Sequence, residues 1–341
     1  VAVDDDPVAV AEAAGLTYVD ADDPGIERQR HGKGFSYRAP DGDLVDAETR
    51  ERIEALAIPP AWTDVWIADD PDAHIQATGR DDEDRKQYLY DERWRLVRDA
   101  QKFERLVDFA AGLPSVREDL DGHLRDKGLT RARVHAAVVR LLDTTLMRVG
   151  NEAYAADNET YGATTLLPEH VRDGGRTLTL AFTGKGGAEW EVPVADAPVR
   201  KVIRECLEVT SGDLFCFRND AGQLQDVTSE GINDFLRELA GAAFSAKDFR
   251  TWGGTANVTG SLGPLALPTD PGEVDAGELA AIDAAAELLG NTRAVARACY
   301  IAPQVPTSWR DGELDDIWKA SRKAARLTRP ERAAARVLAG D

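Results

Sequence analysis

Tyr300 closes the segment NTRAVARACY, nine positions after Asn291, and three well-separated cations precede them: Arg148, Lys185 and Arg250. A phenol is a nucleophile that can form an ester to phosphorus and keep the energy of the bond it breaks. Attack on a phosphodiester builds negative charge on two non-bridging oxygens, and the planar guanidinium forks of Arg148 and Arg250 match those oxygens. The attack also expels a sugar alkoxide, which needs a proton, and the ammonium of Lys185 in the Gly-rich turn TGKGG is suited to give it. With cations in these roles, no metal and no cofactor is expected.

Each residue taken singly also has an ordinary reading. An arginine in a helix's last turn compensates the helix dipole, Lys185 would be a solvated turn tip, and Arg250 would pair with Asp248 or Glu238. Tyr300 would pack in the core, and Asn291 after Gly290 would cap a helix. The order Arg, hairpin Lys, KDFR, Asn, Tyr is far more specific than any member alone.

The elements that must position them follow from periodicity. Apolar residues Val134, Val138, Leu141, Leu142, Thr145 and Val149 form one helical stripe between Thr130 and Gly150, which puts Arg148 in the last turn and makes Gly150 the stop. Leu178 to Phe182 and Ala188 to Val194 alternate as strands around TGKGG, a hairpin with Lys185 near its tip. Helices are expected over Gly231 to Ala240, Lys247 to Val258, Gly277 to Leu289 and Arg293 to Ala302, with one charged helical stretch from Ser308 to Leu338. Before them, short apolar runs at Phe35 to Tyr37, Val65 to Ala68 and His74 to Thr78 predict a small antiparallel sheet, with a helix near Ala47 to Ala57. The fold class is α+β: a small β-rich antiparallel N-terminal domain and a larger, mainly α catalytic domain with a β-hairpin. The divisions are an acidic arm over 1–30, a β-rich domain over 31–95 and the helical domain over 96–341.

Composition narrows the classes. With 341 residues and 43% hydrophobic side chains the chain can fill two cores. No run reaches the about 18 apolar residues of a membrane span, and the opening VAVDDDPVAV lacks the features of a secretory signal, so a cytoplasmic, nucleoid-associated protein is expected. Cys206, Cys216 and Cys299 lack paired spacing and read as reduced core thiols, the five histidines form no HxxxH pair, and Asp81 to Asp84 read as a solvated turn rather than a metal cluster. The net charge of −20 opposes binding to a phosphate backbone. Local positive stretches exist nonetheless, at Arg125 to Arg140 and Lys319 to Arg336, and a binding surface needs only a local field. GKG at 32–34 is too short for a phosphate-binding P-loop.

At these residues the chain resembles a type IB DNA topoisomerase of the small, poxvirus-like class found in bacteria. LMRVG with Arg148, NETYGATTL at 158–166, TGKGG with Lys185, KDFRTW with Arg250 and the segment ending in Tyr300 carry the resemblance, which runs through most of the chain. It implies double-stranded DNA as partner, a monomer independent of ATP and magnesium, and a tyrosine recombinase/type IB topoisomerase-like catalytic fold clamped on DNA with the β-rich domain. It also implies that Lys247 and Tyr154 lie along the DNA, and that TGRDDEDRKQYLYD at 78–91 meets bases through Gln87, Tyr88 and Tyr90. Asn291 departs from the poxvirus pattern, which has a histidine there; the amide donates a hydrogen bond but no charge. Two other readings share the residues: a tyrosine recombinase, disfavoured by the β-rich beginning, and a catalytically silent DNA-binding module.

Overall fold

Turn residues and side-chain caps fix where each element starts. The computed structural model describes residues 6–32, 34–152, 159–240, 244–322 and 326–340, and the chain divides into two compact units, Val1–Lys102 and Phe103–Asp341.

In the first unit, α1 (Pro7–Ala13) starts on the Asp6 cap with proline in its first turn. A five-stranded antiparallel sheet follows, built from β1 (Ile26–His31), β2 (Gly34–Arg38), β3 (Thr63–Ile67), β4 (Ile75–Arg80) and β5 (Lys86–Tyr90) in the order β2-β1-β3-β4-β5. Helix α2 (Ala47–Ala55), capped by Asp46, adds Ile53 to a core of Ile26, Tyr37, Val65, Ile67 and Ala77. Part of the acidic arm over 1–30, read as a partly ordered arm, is packed. Val10, Ala11 and Leu16 pack with Trp94, and the His74 ring lies 4.2 Å from Tyr18 and 4.7 Å from Trp94. Strand β1 hides from a periodicity reading because only Ile26 is fully buried in IERQRH; pairing on both sides holds it.

Helix α3 (Glu92–Leu124) begins in the first unit and ends in the second. After it come α4 (Arg131–Thr145), the sheet β6 (Val171–Asp173), β7 (Leu178–Gly184) and β8 (Ala188–Pro193), and α5 (Ala197–Leu207). A small hairpin of β9 (Cys216–Arg218) and β10 (Leu224–Asp226) precedes α6 (Ser229–Ala240), α7 (Ala246–Leu262), α8 (Pro271–Leu289) and α9 (Arg293–Tyr300). The end of the chain is α10 (Gln304–Arg310), α11 (Leu314–Ala320) and α12 (Arg329–Ala339), not one charged helix. Gly312 at φ 80° breaks the stretch first, and a capping box between Thr328 and Glu331 restarts it.

The fold is α+β, with a small antiparallel sheet followed by a mainly helical unit that carries a hairpin. No helix of the described residues is long and apolar enough to cross a membrane. Cys206 and Cys216 are buried, but Cys299 is exposed on α9, which corrects its reading as a core thiol.

Candidate active site

Helix α7 organises the site, and its sequence RTWGGT explains how. Gly253 and Gly254 sit mid-helix, where glycine costs about 1 kcal/mol relative to alanine, and each admits a neighbour that a Cβ would exclude. A Cβ at Gly253 would lie 2.4 Å from the Leu146 side chain, and one at Gly254 would lie 2.6 Å from the Tyr300 carbonyl oxygen. Thr255 fixes the same backbone, its hydroxyl donating to the Tyr300 carbonyl over 3.4 Å and accepting from Ala302 N over 3.1 Å.

Arg250, one turn earlier, is buried. Its guanidinium donates to the Leu146 carbonyl, and to the Leu289 carbonyl over 2.8 Å. It also stacks on the Tyr300 ring, 4.9 Å from the centroid. Burial and then the Arg148 charge lower its affinity for its proton, with Tyr300 acting the other way. It pairs with neither carboxylate expected from sequence: Asp248 accepts from Ser245, and Glu238 accepts from Arg131.

Arg148 does not lie in the last turn of a helix. Helix α4 ends at Thr145, and Leu146 caps it in the left-handed conformation at φ 55°, which is unusual for a branched residue. The docking of Leu146 against Gly253 and of its carbonyl on Arg250 offsets that cost. The chain then runs extended through Arg148 to Gly150 at φ 114° and is clamped by the YGATT segment. Ala163 N donates to Arg148 O over 2.8 Å, and Thr164 N donates to Val149 O over 2.6 Å. Tyr161 N in turn donates to Thr183 O on β7 over 2.8 Å, which ties this strap to the hairpin.

Lys185 occupies the three-residue tip between the Gly184↔Ala188 pair, with Gly186 and Gly187 at positive φ, so both glycines are needed to turn the chain. Asn291 is set by a Schellman end to α8: Gly290 is left-handed at φ 58°, and Asn291 N donates to Ala286 O over 2.9 Å. Thr292 immediately caps α9, so Asn291 is the single residue between two helix ends. Its side-chain oxygen accepts from Arg148 Nη2 over 2.6 Å, and its buried Nδ2 has no partner among the described residues.

A cleft of about 500 Å³ brings together Arg148, Lys185, Lys247, Arg250 and Tyr300, with Thr160, Tyr161 and Gly162 along its wall. Asn291 reaches it through Arg148. Tyr154 falls outside the described residues. Gln87, Tyr88 and Tyr90 belong to the first unit, on the edge strand β5. There Tyr88 and Tyr90 stack on one face with centroids 5.9 Å apart, whereas the Gln87 amide donates to Asp81 over 2.7 Å. Asp81 also binds Arg85, which holds its carboxyl down at about 2.

Charge in the second unit is distributed to favour the cleft. The cations near Arg131 are largely spent on carboxylates: Arg131 on Glu238, Arg133 on Glu205, and Arg140 on Asp121 and Asp196. Lys319 and Arg326 near the C-terminus are likewise paired, with Asp315 and Asp121. Arg148, Lys247 and Arg250 take part in no ion pair among the described residues. The cleft thus keeps a local positive field in a chain of net charge −20. The sequence reading missed Leu146, Gly253, Gly254 and Thr255; the pair of glycines inside a helical pattern was the available signal.

Known proteins resemble the chain over most of its length. Residues 91–308 match the family model of the eukaryotic DNA topoisomerase I catalytic core, and residues 34–81 match that of the bacterial DNA topoisomerase IB N-terminal domain. The chain is 33% identical over 237 residues to the DNA topoisomerase 1B of Acanthamoeba polyphaga mimivirus, covering 67% of this chain and 70% of that protein. It is 28% identical over 182 residues to DNA topoisomerase 1 of Mycosarcoma maydis, covering 48% of this chain but only 18% of that protein. A catalytic-core model spanning more than half the chain, and a viral relative matched over two thirds of it, show that the chain belongs to the type IB DNA topoisomerases and is an enzyme of that family.

Proposed function

We propose that this enzyme relaxes supercoiled duplex DNA through a 3′-phosphotyrosyl intermediate on Tyr300, as a monomer that needs neither ATP nor a metal ion. The observation that carries the reading is the convergence of Tyr300, Arg148, Lys185 and Arg250 on one cleft whose arginines pair with no carboxylate among the described residues. The Tyr300 hydroxyl gives up its proton to solvent and its oxygen forms a bond to phosphorus while the bond to the 5′ oxygen breaks. Arg148 and Arg250 bind the non-bridging oxygens, the Asn291 amide adds a donor, and Lys185 gives its proton to the departing oxygen. The free strand turns about the intact one, and reversal of the steps reseals it with the bond energy held in the ester. Lys247 and Tyr154 follow the DNA backbone near the cleft, and Gln87, Tyr88 and Tyr90 on β5 supply contacts from the first unit.

Supercoiled plasmid incubated with the protein in EDTA and without ATP is the test. Relaxation is expected, together with a denaturant-stable protein–DNA adduct whose free end is a 5′-hydroxyl. Tyr300→Phe should form no adduct, and a Tyr300→Phe protein that still relaxed the plasmid would remove Tyr300 from the nucleophile's role.

A further inference from the structure

The hairpin that presents Lys185 and the helix end that presents Asn291 are separated by a long stretch of chain, yet one side chain touches both supports. Trp190 on β8 is paired across the hairpin with Phe182, the two rings stacked at 6.1 Å and 8°. The indole extends along that face over Gly184, the residue before Lys185, where a Cβ would lie 2.7 Å from the ring. At its other end the ring meets Gly290, the residue before Asn291, where a Cβ would again lie 2.7 Å away. Both glycines therefore clear space for the same indole. Gly290 has a second reason to be glycine, its φ of 58°, but Gly184 lies outside the left-handed region, so the ring is its clearest steric constraint.

We propose that Trp190 is a positioning residue that braces the tip of the β7–β8 hairpin against the C-terminal end of α8, and so sets Lys185 relative to the phosphate held by Arg148 and Asn291. The proposal rests on the reading of Lys185 as general acid. In cleavage the electron pair of the breaking bond goes to the 5′ oxygen, which takes a proton from the Lys185 ammonium. That transfer requires the ammonium within hydrogen-bond reach of the oxygen. The indole lies as a rigid aromatic plate under Gly184 and so limits where the tip, and Lys185 with it, can sit. Trp190 acts through Lys185 and touches no reacting atom.

The experiment compares single-turnover cleavage of ordinary DNA with cleavage of DNA whose scissile phosphate carries a 5′-bridging sulfur. A thiolate leaves without a proton, so defects confined to proton donation disappear on the sulfur substrate. Trp190→Ala and Gly184→Ala should each cleave ordinary DNA about 100-fold more slowly, the cost of an ångström-scale misplacement, with Trp190→Phe less impaired. On the sulfur substrate Trp190→Ala, Gly184→Ala and Lys185→Ala should return to near the wild-type rate while Arg148→Ala stays slow; that return also shows that the variants fold. Rescue of Lys185→Ala without rescue of Trp190→Ala overturns the proposal alone, as does a wild-type rate of Trp190→Ala on ordinary DNA. Failure of sulfur to rescue Lys185→Ala overturns the general-acid reading, and the proposal with it.

Discussion

Arg148 donates to the Asn291 side-chain oxygen over 2.6 Å, across 143 residues of chain. The bond joins a cation on the irregular segment after α4 to an amide between two helix ends. Its oxygen holds the Arg148 guanidinium, and its buried nitrogen has no partner among the described residues; in the proposed reaction that nitrogen donates to a phosphate oxygen.

The two functions separate by mutation. Asn291→Asp keeps an acceptor for Arg148 but removes the donor, and it should slow single-turnover cleavage by on the order of 10²-fold, the usual loss for one oxyanion donor. Asn291→Ala loses both and should be at least as slow. Unchanged cleavage by Asn291→Asp would take the amide nitrogen out of the reaction.

Gly253→Ala offers a sign test of the Leu146 contact. In an ordinary helix interior the change is stabilising by about 1 kcal/mol. Here the new methyl would meet Leu146 at 2.4 Å, so the expectation is a loss of about 1–3 kcal/mol, as for other overpacked sites. A thermal melt of the full chain reads the sign, and slower cleavage should accompany it because Leu146 also supplies the carbonyl that holds Arg250.

Arg117 ties the last helix to the catalytic helices. Its guanidinium donates to Asp143 on α4 over 2.7 Å and to Glu331 on α12 over 2.7 Å, and Glu331 also accepts from Trp252 on α7 over 3.1 Å. Burial is the largest single influence and pushes the Glu331 carboxyl up, but the Arg117 bond and charge together with the Thr328 hydrogen bonds outweigh it, and the net direction is down. Arg117→Ala strands two buried carboxylates and should cost about 3–5 kcal/mol. Chemical denaturation should show that loss, and adding Asp143→Asn and Glu331→Gln should recover part of it.

His135 supplies a pH dependence. The ring is buried, and Nδ1 lies 2.8 Å from the Arg131 carbonyl. Burial lowers its pKa from 6.5 to about 4, so the fold favours the neutral ring. Its contribution is complete above the unfolded value of about 6.5. It is lost as pH falls towards the folded value of about 4, a change on the order of 3 kcal/mol. Melting temperatures across that window should fall less steeply for His135→Gln than for the wild type.

The chemistry of the site is legible in the chain because it depends on side-chain type and order. A phenol, two guanidiniums, an ammonium in a Gly-rich turn and an amide can be identified without coordinates, and the hairpin and the helices around Arg250 and Tyr300 follow from local periodicity. Strand β1 was not legible, since its polar sequence is held by pairing with β2 and β3 rather than by an apolar face.

The sequence by itself determined which groups are candidates to act, the α+β class and the hairpin that carries Lys185. Tertiary structure alone decided that α4 stops at a left-handed Leu146, that Asn291 turns its oxygen to Arg148, and that Arg131, Arg133 and Arg140 are paired while the cleft's arginines take part in no ion pair among the described residues. The physical reason lies in close approach. Gly253 and Gly254 look like defects to any local propensity, and each becomes favourable only when Leu146 or the Tyr300 backbone arrives from a distant part of the chain to fill the space that a Cβ would take.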